Sequence, residues 1–359
     1  MPHARAAPPL RAVYLYLSGS CNLNCRHCWV DPAFVRGGRT AVDVLSFGNV
    51  EKVVTEALPL GLREVKLTGG EPMMHPDFAR ILSLLRDRKL DVQLETNGTL
   101  VDRESARAIA SPGGRMQAAV SIDGPTPGTH DGFRGVPGAF RDAVRGIGLL
   151  ADEGLRPQMM VTLHRGNLTR IGELIGLAER LGCGSVKFGL VIGSGRASGP
   201  GRDLSLTVPE VLEADRILES ELIPAASIPV MLGLPMAFFS PTRLLRTEAV
   251  KCSVLNILGV LPGGEAALCG IGMSVPDLVF GNTAETSVES IWNDSPGLAL
   301  LRRTVPGRLE GVCTGCLHRN VCQGFCIAMN YLESGSLGAE CRFCREADSL
   351  GLFPETRRS

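Results

Sequence analysis

The sequence has no surplus of charge. Lys+Arg and Asp+Glu both number 37 among 359 residues, so the formal charge is zero. A nucleic-acid binder usually carries a clear basic excess, so no nucleic-acid partner is expected. Long apolar runs are missing as well. The opening MPHARAAPPLRA lacks the apolar core of a signal peptide, and no later stretch reaches transmembrane length. The expectation is a cytoplasmic chain with no membrane partner. No internal repeat or low-complexity tract is present, and 44% hydrophobic residues place the chain among globular proteins. The length suits one large or two moderate domains. Cysteine, by contrast, is plentiful at twelve residues. In a reducing compartment that number points to metal ligation or redox chemistry and away from a disulfide framework.

The first two hundred residues alternate between two patterns. VYLYLS (13–18), EVKLTGGEP (64–72), DVQLETNG (91–98), MQAAVSIDG (116–124), PQMMVTLHRGN (157–167) and SVKFGLVIGSG (185–195) are short apolar runs ending in turn residues. Between them, DFARILSLLRDRKL (77–90) and TRIGELIGLAERLG (169–182) space apolar residues at three and four, as helices do. This alternation implies α/β architecture with a parallel sheet, either a (β/α)6 barrel, partial or complete, or an open doubly wound sheet. In each case the chemistry belongs at the C-terminal ends of the strands, where the unusual motifs fall. SGPGRD (198–203) reads as a linker, followed by a mostly helical stretch to about residue 248. From Cys252 the chain becomes cysteine- and glycine-rich, with SVESIWND as one short helical piece. The expected division is 1–200 for the barrel, 201–250 for a helical linker, 251–348 for a small metal-held domain and 349–359 for a tail.

Cys21, Cys25 and Cys28 directly follow the first strand, spaced by four and then three positions. Three thiolates suit one face of a cubane iron–sulfur cluster with one iron left open. A zinc site with His27 as fourth ligand, or plain buried thiols, is the alternative. Cys183 has no partner spacing and reads as a small buried apolar residue.

The order of Cys-x3-Cys-x2-Cys after strand one and GGEP after strand two resembles the radical S-adenosylmethionine (radical SAM) superfamily, over most of residues 10–200. The resemblance implies a partial barrel. It also implies a [4Fe-4S] cluster on Cys21, Cys25 and Cys28 whose open iron takes the methionine end of S-adenosylmethionine. That pair yields a 5′-deoxyadenosyl radical able to abstract hydrogen from an unreactive C–H bond. Gly69 and Gly70 then let the backbone approach closely and offer carbonyls to the cofactor's ammonium, with Glu71 as a negative partner. An ordinary strand-end turn is the other reading of that segment. SIDGPTPGTHDGFRG (121–135) resembles the family segment that addresses the ribose through Ser121 and Asp123 and the cofactor carboxylate through Arg134. His27 stands where the family usually has an aromatic residue near adenine. GSGRA (193–197) resembles the ending of the sixth strand in many relatives.

Cys252, Gly264-x4-Cys269, Cys313-x2-Cys316-x5-Cys322-x3-Cys326, and Cys341 with Cys344 resemble the SPASM extension of peptide-modifying radical SAM enzymes, which holds two auxiliary [4Fe-4S] clusters. By that pattern Cys252, Cys269 and Cys326 hold the first. Cys313, Cys316 and Cys322 hold the second, with Cys341 or Cys344 as its fourth ligand. Either the remaining cysteine completes the first cluster or that cluster keeps an open iron. The function implied is oxidative modification, such as crosslinking, of a ribosomally made peptide. Radical dehydrogenation or epimerisation of a small natural product, an aminocyclitol or sugar, is the alternative. Only about a dozen residues precede the first strand, so a separate leader-peptide-binding protein is expected for the peptide reading. A flavodoxin or ferredoxin is the expected low-potential electron donor. Asp31, Glu95, His164 and Tyr331 are candidate bases.

Overall fold

The structure, a computed structural model, describes residues 7–41, 43–111, 113–198, 204–246 and 252–359. All but the first residue of the expected 198–203 linker therefore lies outside the described residues. The six expected strands form as β1 (Ala12–Ser18), β2 (Glu64–Gly69), β3 (Asp91–Thr96), β4 (Met116–Ser121), β5 (Gln158–Leu163) and β6 (Ser185–Leu190). They pair in chain order, each parallel to the next. The helices between them include α1 (Phe47–Ala57), α2 (Phe78–Asp87), α3 (Arg103–Ala110), α4 (Pro127–Arg134), α5 (Ala139–Asp152) and α6 (Ile171–Arg180). Parallel neighbours need such crossovers, because a hairpin cannot return the chain to the same end of the sheet.

β7 (Val230–Leu232) extends the sheet beyond β6. At the opposite edge β8 (Ile257–Val260) pairs parallel to β1, and antiparallel β9 (Glu265–Ala267) and β10 (Val279–Asn282) follow it. The ten strands form one continuous sheet whose two end strands do not pair with each other, so the barrel is partial. The cysteine-rich region thus covers an edge that would otherwise expose unpaired backbone groups. One apolar cluster runs from Leu10 through the barrel to Ala328.

Side chains alternate across each strand with period two. Val13, Leu15, Leu17, Val65, Leu67, Val92, Leu94, Val186 and Phe188 are fully or almost fully buried in the apolar cluster. The intervening positions, including Tyr14, Tyr16, Lys66, Thr68, Glu95, Ser121, Met160, Thr162 and Lys187, line a cavity of about 460 Å³. A packed (β/α) barrel fills this space with branched apolar residues. Here the inner strand positions carry polar side chains among apolar ones, and the space is open.

Candidate active site

The segment after β1 folds over the mouth of the cavity and brings Cys21, Cys25 and Cys28 onto its wall. Three chain segments beyond β2, β4 and β6 hold it there. The β2 end supplies Gly69 and Gly70. Gly69 sits at φ +125°, and a Cβ on Gly70 would fall 2.0 Å from the Ser20 carbonyl oxygen, so only glycine lets this turn pack against the cysteine loop. The α4 end supplies carbonyls of Phe133 and Arg134 that accept from the amides of Arg26 and Asn24 at 3.0 and 3.1 Å. The β6 end supplies Arg196, whose Nε donates to the Cys25 carbonyl at 2.9 Å and whose Nη1 pairs with Asp31 at 2.8 Å.

The side chains singled out by the sequence divide into two layers. Gly69, Gly70, Ser121, Arg134 and His27 line the cavity; Glu71 and Asp123 stand behind it. Both Glu71 oxygens are engaged: Oε1 accepts from Thr96 Oγ1 at 2.7 Å and Met73 N at 3.1 Å, and Oε2 from Asn97 N at 2.8 Å. Burial nevertheless keeps its pKa above the ordinary value. Asp123 pairs with Arg134 Nε at 2.6 Å and accepts from Thr162 N at 2.8 Å. Burial works against the Asp123 charge, and the Arg134 guanidinium outweighs it, holding the carboxyl below its usual value. Arg134 Nη1 in turn reaches Cys25 Sγ at 3.7 Å. His27 stacks on Phe133 with centroids 4.4 Å apart, and Phe133 stacks on His164 at 3.9 Å. Burial lowers the His27 pKa to about 4, leaving it neutral near pH 7.

Asn97, which as a strand-end residue suggested only a turn, donates through Nδ2 to Asn22 Oδ1 at 2.8 Å and approaches Cys21 Sγ at 3.9 Å. Of the four candidate bases only Glu95 lines the cavity. It is paired with Lys66 Nζ at 2.8 Å, and that ammonium overrides burial to hold the carboxylate ionised. Asp31 pairs with Arg196, His164 belongs to the ring stack, and Tyr331 donates to exposed Asp277 at 3.0 Å.

The C-terminal cysteines separate into two groups. Cys252, Cys269 and Cys326 line the same cavity as Cys21, Cys25 and Cys28. Cys313, Cys316, Cys322, Cys341 and Cys344 surround a separate void of about 20 Å³. Cys183 is fully buried in the apolar core. Among the described residues no three His, Cys, Asp or Glu side chains converge as ligands of a single ion would. A cubane presents its irons at separate corners, so its thiolates stand farther apart than ligands around one zinc. The thiol-only donor sets, spread over cavity walls, fit such a cluster.

Comparison with known proteins agrees with this geometry. Residues 15–178 match the Radical SAM superfamily, and residues 252–317 match SPASM, an iron–sulfur cluster-binding domain. The AdoMet-dependent heme synthase of Methanosarcina barkeri is 30% identical over 93% of this chain and 96% of its own length. The chain belongs to the radical SAM superfamily. It is an enzyme whose radical SAM domain binds a [4Fe-4S] cluster and S-adenosylmethionine and whose SPASM domain binds auxiliary clusters. A second relative, the PqqA peptide cyclase of Gluconobacter oxydans, is 26% identical over 83% of this chain and 80% of its own. Streptococcus suis SuiB bound to its precursor peptide SuiA shares the fold, with a TM-score of 0.74 at 15% identity over 94% of this chain and 76% of that one. Among the described residues, no helix is long and apolar enough to cross a membrane.

Proposed function

We propose that this radical SAM/SPASM enzyme oxidises a C–H bond of a heme-class tetrapyrrole held between two cysteine sets. The observation that carries the reading is that Cys21, Cys25 and Cys28 share one cavity with Cys252, Cys269 and Cys326. When bound, the cluster and S-adenosylmethionine supply a radical that abstracts hydrogen from an unreactive carbon.

The chain's own residues bind, orient and exclude water. Cys21, Cys25 and Cys28 hold the cluster, with Asn97 and Arg134 polarising two of the thiolates. The backbone of Gly69 and Gly70 faces the cofactor ammonium, while Glu71 braces that turn from behind. Ser121 addresses the ribose and His27 offers its stacked ring to the purine. Arg134, oriented by Asp123, meets the cofactor carboxylate in charge-assisted hydrogen bonds. Cys252, Cys269 and Cys326 hold the first auxiliary cluster through three thiolates, since both Cys341 and Cys344 lie with the other set. Cys313, Cys316 and Cys322, with Cys341 or Cys344, hold the second. A flavodoxin or ferredoxin supplies the electron.

The tetrapyrrole assignment draws on a heme synthase relative that matches almost end to end. The PqqA peptide cyclase relative favours a second reading, a ribosomally made peptide presented by a separate leader-binding protein. The test is anaerobic incubation of reconstituted enzyme with S-adenosylmethionine, a reductant and iron coproporphyrin. The expected outcome is 5′-deoxyadenosine above the substrate-free level together with a mass change in the porphyrin. An unchanged porphyrin contradicts the tetrapyrrole assignment.

A further inference from the structure

Four cations line the cavity: Lys66, Arg134, Lys187 and Arg196. Three have carboxylate partners within ion-pair distance, namely Glu95 for Lys66, Asp123 for Arg134 and Asp31 for Arg196. Lys187, on the inner face of β6, has none among the described residues. Glu95 acts on it only from beyond ion-pair distance, its Oε1 accepting from Lys66 at 2.8 Å and its Oε2 from Thr68 at 3.2 Å. Lys187 is thus the one lining cation without a carboxylate partner among the described residues. Lys187 is half-buried, and a partly desolvated cation without a partner is stabilised when a ligand supplies the opposite charge.

Lys187 shares the inner face of the sheet with Lys66 on β2 and Glu95 on β3, and these are the charges that act on it. Burial, followed by the like charge of Lys66, lowers the Lys187 pKa, and an incoming anion opposes both effects. The same cavity also has apolar wall residues, Met160, Leu190, Ile192, Ile257, Ile271 and Met329. A cation without a carboxylate partner in a cavity with such walls suits a ligand with an apolar body and a carboxylate at its edge.

We propose that Lys187 anchors a carboxylate of the substrate inside this cavity and so sets which part of the substrate faces the cofactor. This deepens the reading above and rests on it. Such a carboxylate belongs either to a tetrapyrrole propionate or to an acidic peptide side chain.

The experiment measures equilibrium binding to anaerobic holoenzyme of two probe pairs in one buffer. The first pair is iron coproporphyrin and its methyl ester, and the second is N-acetyl-Ala-Glu-Ala amide and its glutamine counterpart. The expected result is a preference of about tenfold for the porphyrin acid over its ester, lost in Lys187→Met and largely kept in Lys187→Arg. The peptide pair is expected to show no difference. A preference confined to the peptide pair, and likewise lost in Lys187→Met, keeps the anchor and makes its source a peptide. Absence of any acid preference, or its survival in Lys187→Met, overturns the proposal. So does a variant that loses affinity for S-adenosylmethionine while keeping the probe preference. If Lys187→Met assembles too little iron to test, Lys187→Gln in the same assay decides. Substrate-free formation of 5′-deoxyadenosine by the wild-type enzyme is scored separately, and its absence overturns the radical reading alone.

Discussion

Two groups of thiols in this molecule sit in opposite surroundings. At the barrel mouth, Cys21 and Cys25 receive polar contacts from Asn97 and Arg134, and Arg196 ties down the loop backbone. Around the far void, Cys341 and Cys344 pack with Val208, Ala237, Ala347 and Phe353. Phe238 closes edge-on against Phe343 at 5.0 Å and Phe353 at 5.8 Å. Burial raises the Cys25 pKa at the mouth, and there the Arg134 guanidinium works against it. Burial pushes Cys313 to about 12 and Cys322 to about 11. The contrast follows from what each site must admit. A site that receives a charged cofactor needs fixed polar groups on an open wall, whereas a cluster that only exchanges electrons works in a sealed, apolar one.

Cysteine replacement breaks this comparison most sharply. Wild-type enzyme is expected to carry about twelve irons, ~4 per cluster. Replacing Cys21, Cys25 and Cys28 together should remove about four of them and abolish reductive formation of 5′-deoxyadenosine. Cys313→Ala should lose a similar amount of iron yet keep that product, and its loss there would erase the distinction between the sites.

Asp123→Asn tests the polar wall. It leaves the buried Arg134 guanidinium without its carboxylate, which should lower stability by about 3–5 kcal/mol in anaerobic denaturant unfolding and weaken S-adenosylmethionine binding. Unchanged unfolding would mean that the Arg134 charge is satisfied elsewhere.

Next in size is an acid effect at the mouth. Buried His130 has its pKa lowered to about 4, first by burial and then by Arg134, and its Nδ1 accepts from the Asp123 amide at 3.2 Å. The unfolded chain binds that proton near the ordinary value, so the fold loses stability as pH falls from about 6.5 towards 4, by up to about 1.4 kcal/mol per pH unit. Unfolding curves of wild type and His130→Gln should differ in slope over that window and run parallel above it.

The smallest effect is expected at the far void, where five thiols surround a cluster with four corners. Of Cys341→Ala and Cys344→Ala, one should leave the iron content unchanged. Loss of the cavity-side auxiliary cluster in either variant would contradict the grouping.

Much of this architecture was legible because alternation has a physical period. Five of the six strands lie within their quoted segments, β1 begins one residue before its own at Ala12, and VESIWND of the expected SVESIWND piece is helical at Val288–Asp294. The inner face was also written in the sequence: Lys66 and Thr68 alternate with Val65 and Leu67, and Thr162 stands between Val161 and Leu163. Partnership was hidden. Nothing local says that residues 257–282 join the β1 edge, because strand pairing across some 240 positions depends on the assembled fold. The same holds for Arg196 clasping a loop 171 residues earlier and for Lys66 claiming Glu95 and leaving Lys187 alone. The fourth-ligand question for Cys341 and Cys344 was likewise open, since spacing cannot tell which void a cysteine faces.

The most direct test is paramagnetic resonance of the reduced enzyme with and without S-adenosylmethionine. The signal of the cluster on Cys21, Cys25 and Cys28 is expected to shift when the cofactor is added, and to be missing from the triple variant. Identical spectra in the presence and absence of the cofactor would contradict the account at its root.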